Sequence, residues 1–93
     1  MRLTNLTWPK AQEYFKKNDM VLISIGSIEC HGRHMPLGTD TLIPEHLLEK
    51  IEKKSDVLIA PTIPYGSCQC LAPYPGTIDI DGEVLYQFAV RFS

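Results

Sequence analysis

Between residues 27 and 40 the chain gathers the side chains that could bind a metal or move a proton: Ser27, Glu29, Cys30, His31, Arg33, His34, Thr39 and Asp40. Glu29 and His31 stand two apart, so in extended backbone both side chains point to the same side. Asp40 falls just ahead of a predicted helix, where a carboxylate can cap backbone N–H groups and still offer an outer oxygen. One imidazole and two carboxylates make a mixed N/O set suited to Zn²⁺ or Mn²⁺. Gly32 lets the backbone bend between the ligands, and Pro36 stiffens the return. These residues also have plainer uses. Asp40 could serve only as an N-cap, and Arg33 could pair with Glu29 on the surface. Cys30 reads as a small buried thiol, His46 as a surface residue on a helix flank, and Trp8 as core packing. Cys68-x-Cys70 is a weak soft-metal motif, because no further Cys or His lies near it.

The elements that must position this segment follow from hydrophobic patterning. Thr7-Trp8-Pro9 opens a helix whose Ala11, Tyr14 and Phe15 form one apolar face through Lys17. Residues 20–25 read as a nearly continuous apolar strand, the pattern of a strand covered on both faces. A second helix fits 41–54, with Ile43, Leu47, Leu48 and Ile51 on one stripe and Pro44 in the first turn. Val57-Leu58-Ile59-Ala60 is a second buried strand. Strand, helix, strand is a βαβ unit, and Val-Leu-Ile recurs at 21–23 and 57–59. The two strands should therefore lie parallel and adjacent, or nearly so, in one sheet, with Leu47 and Ile51 packed onto it. The chemistry-bearing segment then leaves the C-terminal end of a strand and enters a helix, where open α/β sheets place ligands. A long Pro- and Gly-rich loop spans 61–76, 77–80 could be a short strand, and Asp81-Gly82 starts a third helix. In that helix Val84, Leu85, Phe88 and Phe92 share a face, and no stop signal precedes Ser93.

Composition bounds the answer. The chain has 93 residues, 9 Lys+Arg against 11 Asp+Glu and a net charge of -2, with 44% hydrophobic residues. This is one domain or less. The slightly acidic balance argues against nucleic acid or an anionic membrane as partner, since both need a basic face. No apolar signal-peptide core and no ~20-residue spanning segment is present. Three cysteines without a secretory signal read as free thiols, so a cytoplasmic location is expected.

The complete string Ser27-x-Glu29-x-His31-Gly32-x-His34-x-Pro36-Leu37-x-Thr39-Asp40 resembles the signature of the creatininase (creatinine amidohydrolase) family. Leu6-Thr7-Trp8-Pro9 resembles the family's opening. Pro64-Tyr65-Gly66, followed by Tyr74-Pro75-Gly76-Thr77, resembles its later Tyr-Gly…Phe-Pro-Gly-Thr stretch. The resemblance implies a three-layer α/β/α domain with a mainly parallel sheet. It also implies two divalent metals and hydrolysis of non-peptide C–N bonds in cyclic amides or formamides. Carried over, Glu29 would bind one metal, His31 the other, and Asp40 both. His34 would face substrate or support a ligand from behind, as the candidate catalytic residue.

Three departures stand out. Cys30 replaces the family's usual Gln, and the loop Ser67-Cys68-Gln69-Cys70-Leu71 lacks the Glu and His that members often carry. Family members are also well over twice as long, and their second half supplies an Asn-Gly-His segment and another acidic ligand. The resemblance therefore casts residues 1–93 as the N-terminal half of one creatininase-like domain. Such a half would take a small-molecule amide substrate together with a complementary half, or as a homo-oligomer. The alternative is a truncated, catalytically inactive domain limited to metal binding or protein contacts.

Overall fold

The computed structural model describes residues 1–92 and has an α/β architecture built on parallel strand pairing. Helix α1 (Trp8–Lys17) precedes strand β1 (Val21–Leu22); helix α2 (Thr39–Glu52) precedes β2 (Leu58–Ile59); helix α3 (Gly82–Arg91) closes the order. Val21 pairs with Leu58 and Leu22 with Ile59 in parallel register, so the expected βαβ unit is present. Pairing resumes beyond the strands, where Ile25 bridges Ile63. The offset there is one residue larger, because Ala60 N–H donates to Leu22 O but Ile63 N–H, not that of Thr62, donates to Ser24 O. Pro61 has no N–H to give, and the extra residue forms a bulge at that point.

β2 is the covered strand. On its other side Arg2 bridges Ile59, and Ile59 N–H donates to Met1 O at 2.8 Å. Leu58 and Ile59 are accordingly 0% and 1% exposed. β1 does not match the expectation of cover on both faces: Met20 and Ile25 are each 64% exposed. Its continuous apolar run marks an edge among the described residues, while the same pattern at 57–60 marks a centre. Tyr14 ties the two strands together. Its hydroxyl donates to Met20 O at 2.7 Å and accepts from Leu58 N–H at 3.1 Å.

Tyr14 is also how α1 docks, and it is the one buried residue of that helix. Trp8 lies about 120° round the helix from it, at 3.6 residues per turn, and points outward. Contrary to the core role expected of it, Trp8 is 77% exposed. A second correction concerns α2. Leu48 is buried, whereas Leu47 and Ile51, expected to pack on the sheet, are exposed. The inward line of α2 runs through Thr41, Pro44, Glu45 and Leu48. Two of these are polar because they are bonded across the interface: Thr41 Oγ1 donates to Ser27 O at 3.0 Å, and Glu45 accepts from the Thr62 hydroxyl.

The segment 77–80 forms two isolated bridges and no longer strand: Ile28 with Ile78, antiparallel, and Gly66 with Asp79, parallel. Asp81 caps α3, its Oδ1 accepting from Glu83 and Val84 N–H at 3.0 and 3.3 Å. The helix ends at Arg91, with Phe92 extended, so it does not run through the last residues as expected; Ser93 lies outside the described residues. No described helix is long and apolar enough to cross a membrane.

This packing makes a test of the α2 face. Leu48→Ala should destabilise the chain by about 2–5 kcal/mol, the cost of emptying a filled core position. Leu47→Ala, at a position 53% exposed, should cost well under about 1 kcal/mol. Urea unfolding midpoints of both variants decide it, and equal losses would contradict the packing described.

Candidate metal centre

The site is built where β1 runs out. Gly26 N–H donates to Ile63 O at 2.8 Å, holding the exit of β1 against the β2 side. Ile28 O then accepts from Ile78 N–H, and Glu29 N–H donates to Leu37 O, each at 2.9 Å. The second bond closes the loop 30–36 back on itself, with Gly32 at φ 70° taking the left-handed conformation that other residues avoid. Thr39 locks the entry into α2, its hydroxyl donating to Pro36 O at 2.6 Å. α2 begins at Thr39, two residues earlier than the pattern indicates, so Asp40 lies inside its first turn. The helix has no side-chain cap, and the Asp40 carboxylate is turned to the site instead.

There Glu29, His31 and Asp40 converge, each offering one donor atom, with all three atoms within 4.8 Å of one another. His31 Nε2 is 2.8 Å from Asp40 Oδ2 and 3.3 Å from Glu29 Oε1. Ser27 adds a hydroxyl, donating to the same Asp40 Oδ2 at 3.2 Å. All three side chains are partly exposed, at 17% for Glu29, 31% for His31 and 37% for Asp40, so the cluster opens to solvent.

The electrostatics follow from the crowding. The hydrogen bond to Asp40 holds the His31 imidazole above its ordinary 6.5, against the opposing effect of partial burial. Asp40 is held below its ordinary 3.8 by hydrogen bonds from Glu29 and His31. Glu29 is pushed above its ordinary 4.5, first by that bond to Asp40, then by burial and the charge of Asp40. Two carboxylates this close disfavour each other's charge, and the cost falls on Glu29, whose pKa rises while that of Asp40 falls. A cation placed among the three would relieve the same repulsion.

The other candidates stand apart. His34 is exposed on the loop, its ring beside Gly32, and is not in the cluster. Arg33 is exposed, and the ion-pair partner of Glu29 is His31. His46 sits on the outer face of α2, 3.6 Å from Glu49, as a surface residue. Cys68 is buried, its thiol donating to Ile78 O at 3.2 Å and pushed up in pKa by that burial, while Cys70 is exposed. Glu29, His31 and Asp40 form the one group of three or more potential metal ligands among the described residues. Spacing did not reveal the contact of Ser27, thirteen residues from Asp40, because it depends on how closely β1 and α2 approach.

The raised imidazole has a consequence for stability. A His whose folded pKa exceeds its unfolded value stabilises fully below the unfolded value and loses that contribution as pH rises through the folded one. The metal-free chain should therefore lose stability as pH climbs from about 6.5, and His31→Gln should flatten that slope. Urea midpoints across the range test this, and an unchanged slope in the variant would refute the His31–Asp40 pairing.

Comparison with known proteins gives this geometry a context. The family model for creatininase (creatinine amidohydrolase) matches residues 4–92. The chain is 30% identical over 90 residues to the 3-dehydro-scyllo-inosose hydrolase of Thermotoga maritima, covering 91% of this chain and 28% of that protein. It is 31% identical over 86 residues to the creatinine amidohydrolase of Pseudomonas putida, covering 86% and 33% respectively. A mutant creatininase complexed with creatine superposes with a TM-score of 0.80 at 26% identity, over 92% of this chain and 35% of that one. The chain thus spans about a third of the length of the curated relatives it matches. The match of the family model over residues 4–92 establishes that the chain belongs to the creatininase family.

Proposed function

We propose that this chain supplies part of a dinuclear metal site in a metal-dependent amidohydrolase acting on a cyclic amide or formamide C–N bond. The observation that carries the reading is the convergence of an imidazole and two carboxylates at the exit of β1. In this reading Glu29 would hold one ion and His31 the other, with Asp40 serving both. The donor set suits Zn²⁺ or Mn²⁺, and related creatininase structures include a Mn form and a Zn-Zn type, at 22% and 24% identity. Bound divalent ions would supply Lewis acidity for the amide carbonyl and acidify a water.

The chain's own residues prepare for this. His31 must give up its Nε2 proton before it can ligate, so its raised pKa makes binding weaken on acidification. The raised pKa of Glu29 acts in the same sense, so acid should weaken its binding too. His34, exposed on the loop at 30–36, is proposed to face substrate at the rim. The relatives' names include creatinine, 3-dehydro-scyllo-inosose and a mycofactocin precursor peptide, molecules of different chemistry. We therefore place substrate selection outside the Glu29–His31–Asp40 cluster. The three free thiols support a cytoplasmic location.

Ligand count favours one further conclusion. A catalytic zinc usually has three protein ligands and an open position, whereas three donors shared between two ions give each ion two. We propose that residues 1–93 form the N-terminal portion of one creatininase-like domain. The remaining ligands would come from beyond it, in the same chain or in an associated one. Alone, the chain would bind metal without catalysis.

Two results check this. The purified 93-residue chain, supplied with Zn²⁺ or Mn²⁺, should show no appreciable hydrolysis of creatinine or of a formamide. Asp40→Ala should remove more metal, measured by elemental analysis, than Glu29→Ala or His31→Ala, since Asp40 alone would touch both ions. Metal-dependent turnover by the isolated chain, abolished by Asp40→Ala, would overturn the claim that the site is incomplete.

A further inference from the structure

Asp40 Oδ2 accepts from two side chains at once, His31 Nε2 at 2.8 Å and Ser27 Oγ at 3.2 Å. Only one of these contacts is compatible with metal binding. An imidazole nitrogen that carries a metal carries no proton, so Nε2 cannot both ligate an ion and donate to Asp40. Once His31 and Glu29 both serve as ligands, neither donates to Asp40, and the Ser27 hydroxyl is the remaining side-chain donor on this carboxylate. We infer that Ser27 is a positioning residue, whose hydroxyl keeps the Asp40 carboxylate aimed into the site when His31 becomes a ligand. The inference rests on the metal-site reading proposed above.

Ser27 is well placed for the task because its own backbone is fixed on the same helix. Its carbonyl accepts from Thr41 Oγ1 at 3.0 Å, one residue along α2 from Asp40. The preceding residue, Gly26, lies so near that an added Cβ would come 2.6 Å from Asp40 O. The hydroxyl and the carboxylate are thus carried by two backbone segments held in contact, and no long flexible side chain separates them. Ser27 can approach Asp40 without competing for the ions, since a neutral serine hydroxyl is a far poorer ligand for Zn²⁺ than the three donors beside it. Partners that orient a metal ligand from behind typically change affinity ten- to a hundredfold when removed.

The test is titration of the purified metal-free chain with Zn²⁺ and separately with Mn²⁺, followed by calorimetry. Ser27→Ala should weaken binding about ten- to a hundredfold, while its metal-free urea midpoint stays close to that of the parent. Ser27→Thr keeps the hydroxyl and should recover most of the affinity. Ser27→Val has the shape of threonine without the hydroxyl and should not. The Thr/Val pair also decides the matter if the alanine variant folds poorly. Parent-like affinity in Ser27→Ala, or equal losses in Ser27→Thr and Ser27→Val, would overturn the role of Ser27 and leave the metal site standing. Failure of the parent chain to bind either ion would overturn the metal-site reading and this inference with it.

Discussion

The close approach of Gly26 to the start of α2 is the constraint on which the rest of the site depends. A Cβ at this position would meet Asp40 O and Thr41 Oγ1 at 2.6 Å and Thr41 Cα at 2.8 Å, distances that real Cβ atoms do not adopt. Strand exit and helix entry can touch backbone to backbone only because residue 26 has no side chain. Several contacts follow from that one. Ser27 O reaches Thr41, Ser27 Oγ reaches Asp40, and Gly26 N–H still bonds Ile63 on the β2 side. Any larger residue at 26 would lift α2 from the sheet and carry Asp40 away from His31.

With so little apolar surface enclosed, the helix is held to the sheet by polar contacts as well as by Leu48. Ser24 and Thr62 hydroxyls meet at 2.6 Å just past the bulge, and Thr62 continues to Glu45 on α2. Arg2 reaches Glu52 at 2.6 Å and Glu45 at 3.7 Å, bringing the first residues of the chain onto the same helix. The bulge at Pro61 serves this network, since it sets Thr62 opposite Ser24 in the shifted register. Much apolar surface remains outside, including Leu42, Ile43 and Leu47 on α2 and Val84, Phe88 and Val90 on α3. Exposed apolar surface of this extent is a liability for self-association.

The βαβ unit was legible in the sequence because its apolar runs are short, recur and flank one helix. The triad was legible because two of its members stand in an i, i+2 pair and the third opens that helix. What escaped was which side of each element faces in. The stripe Ile43, Leu47, Leu48, Ile51 suggested an apolar docking face, yet α2 docks through Thr41, Glu45 and Leu48, because hydrogen bonds satisfy the first two. Trp8 misled for a related reason: side-chain size suggested burial, whereas the hydroxyl of Tyr14 decided which face of α1 turns in. The bulge and the Ser27 contact had no local signature, since both depend on strands and helices meeting across long stretches of chain.

The parallel pairing also sets when the site can exist. Val21 meets Leu58 only after the intervening 36 residues have crossed over, and Glu29 is fixed in part through Ile28's bridge to Ile78. Long-range pairings of this kind form slowly, because loop-closure entropy opposes them before any contact compensates. Helix α2 can form early from local contacts, but its Asp40 finds Glu29 and His31 in place only once the sheet has closed. The three residues span twelve positions of sequence, yet their convergence should come late in folding. A ligand at the cluster would therefore act on the native state more than on the route to it, slowing escape from the fold without hastening its formation.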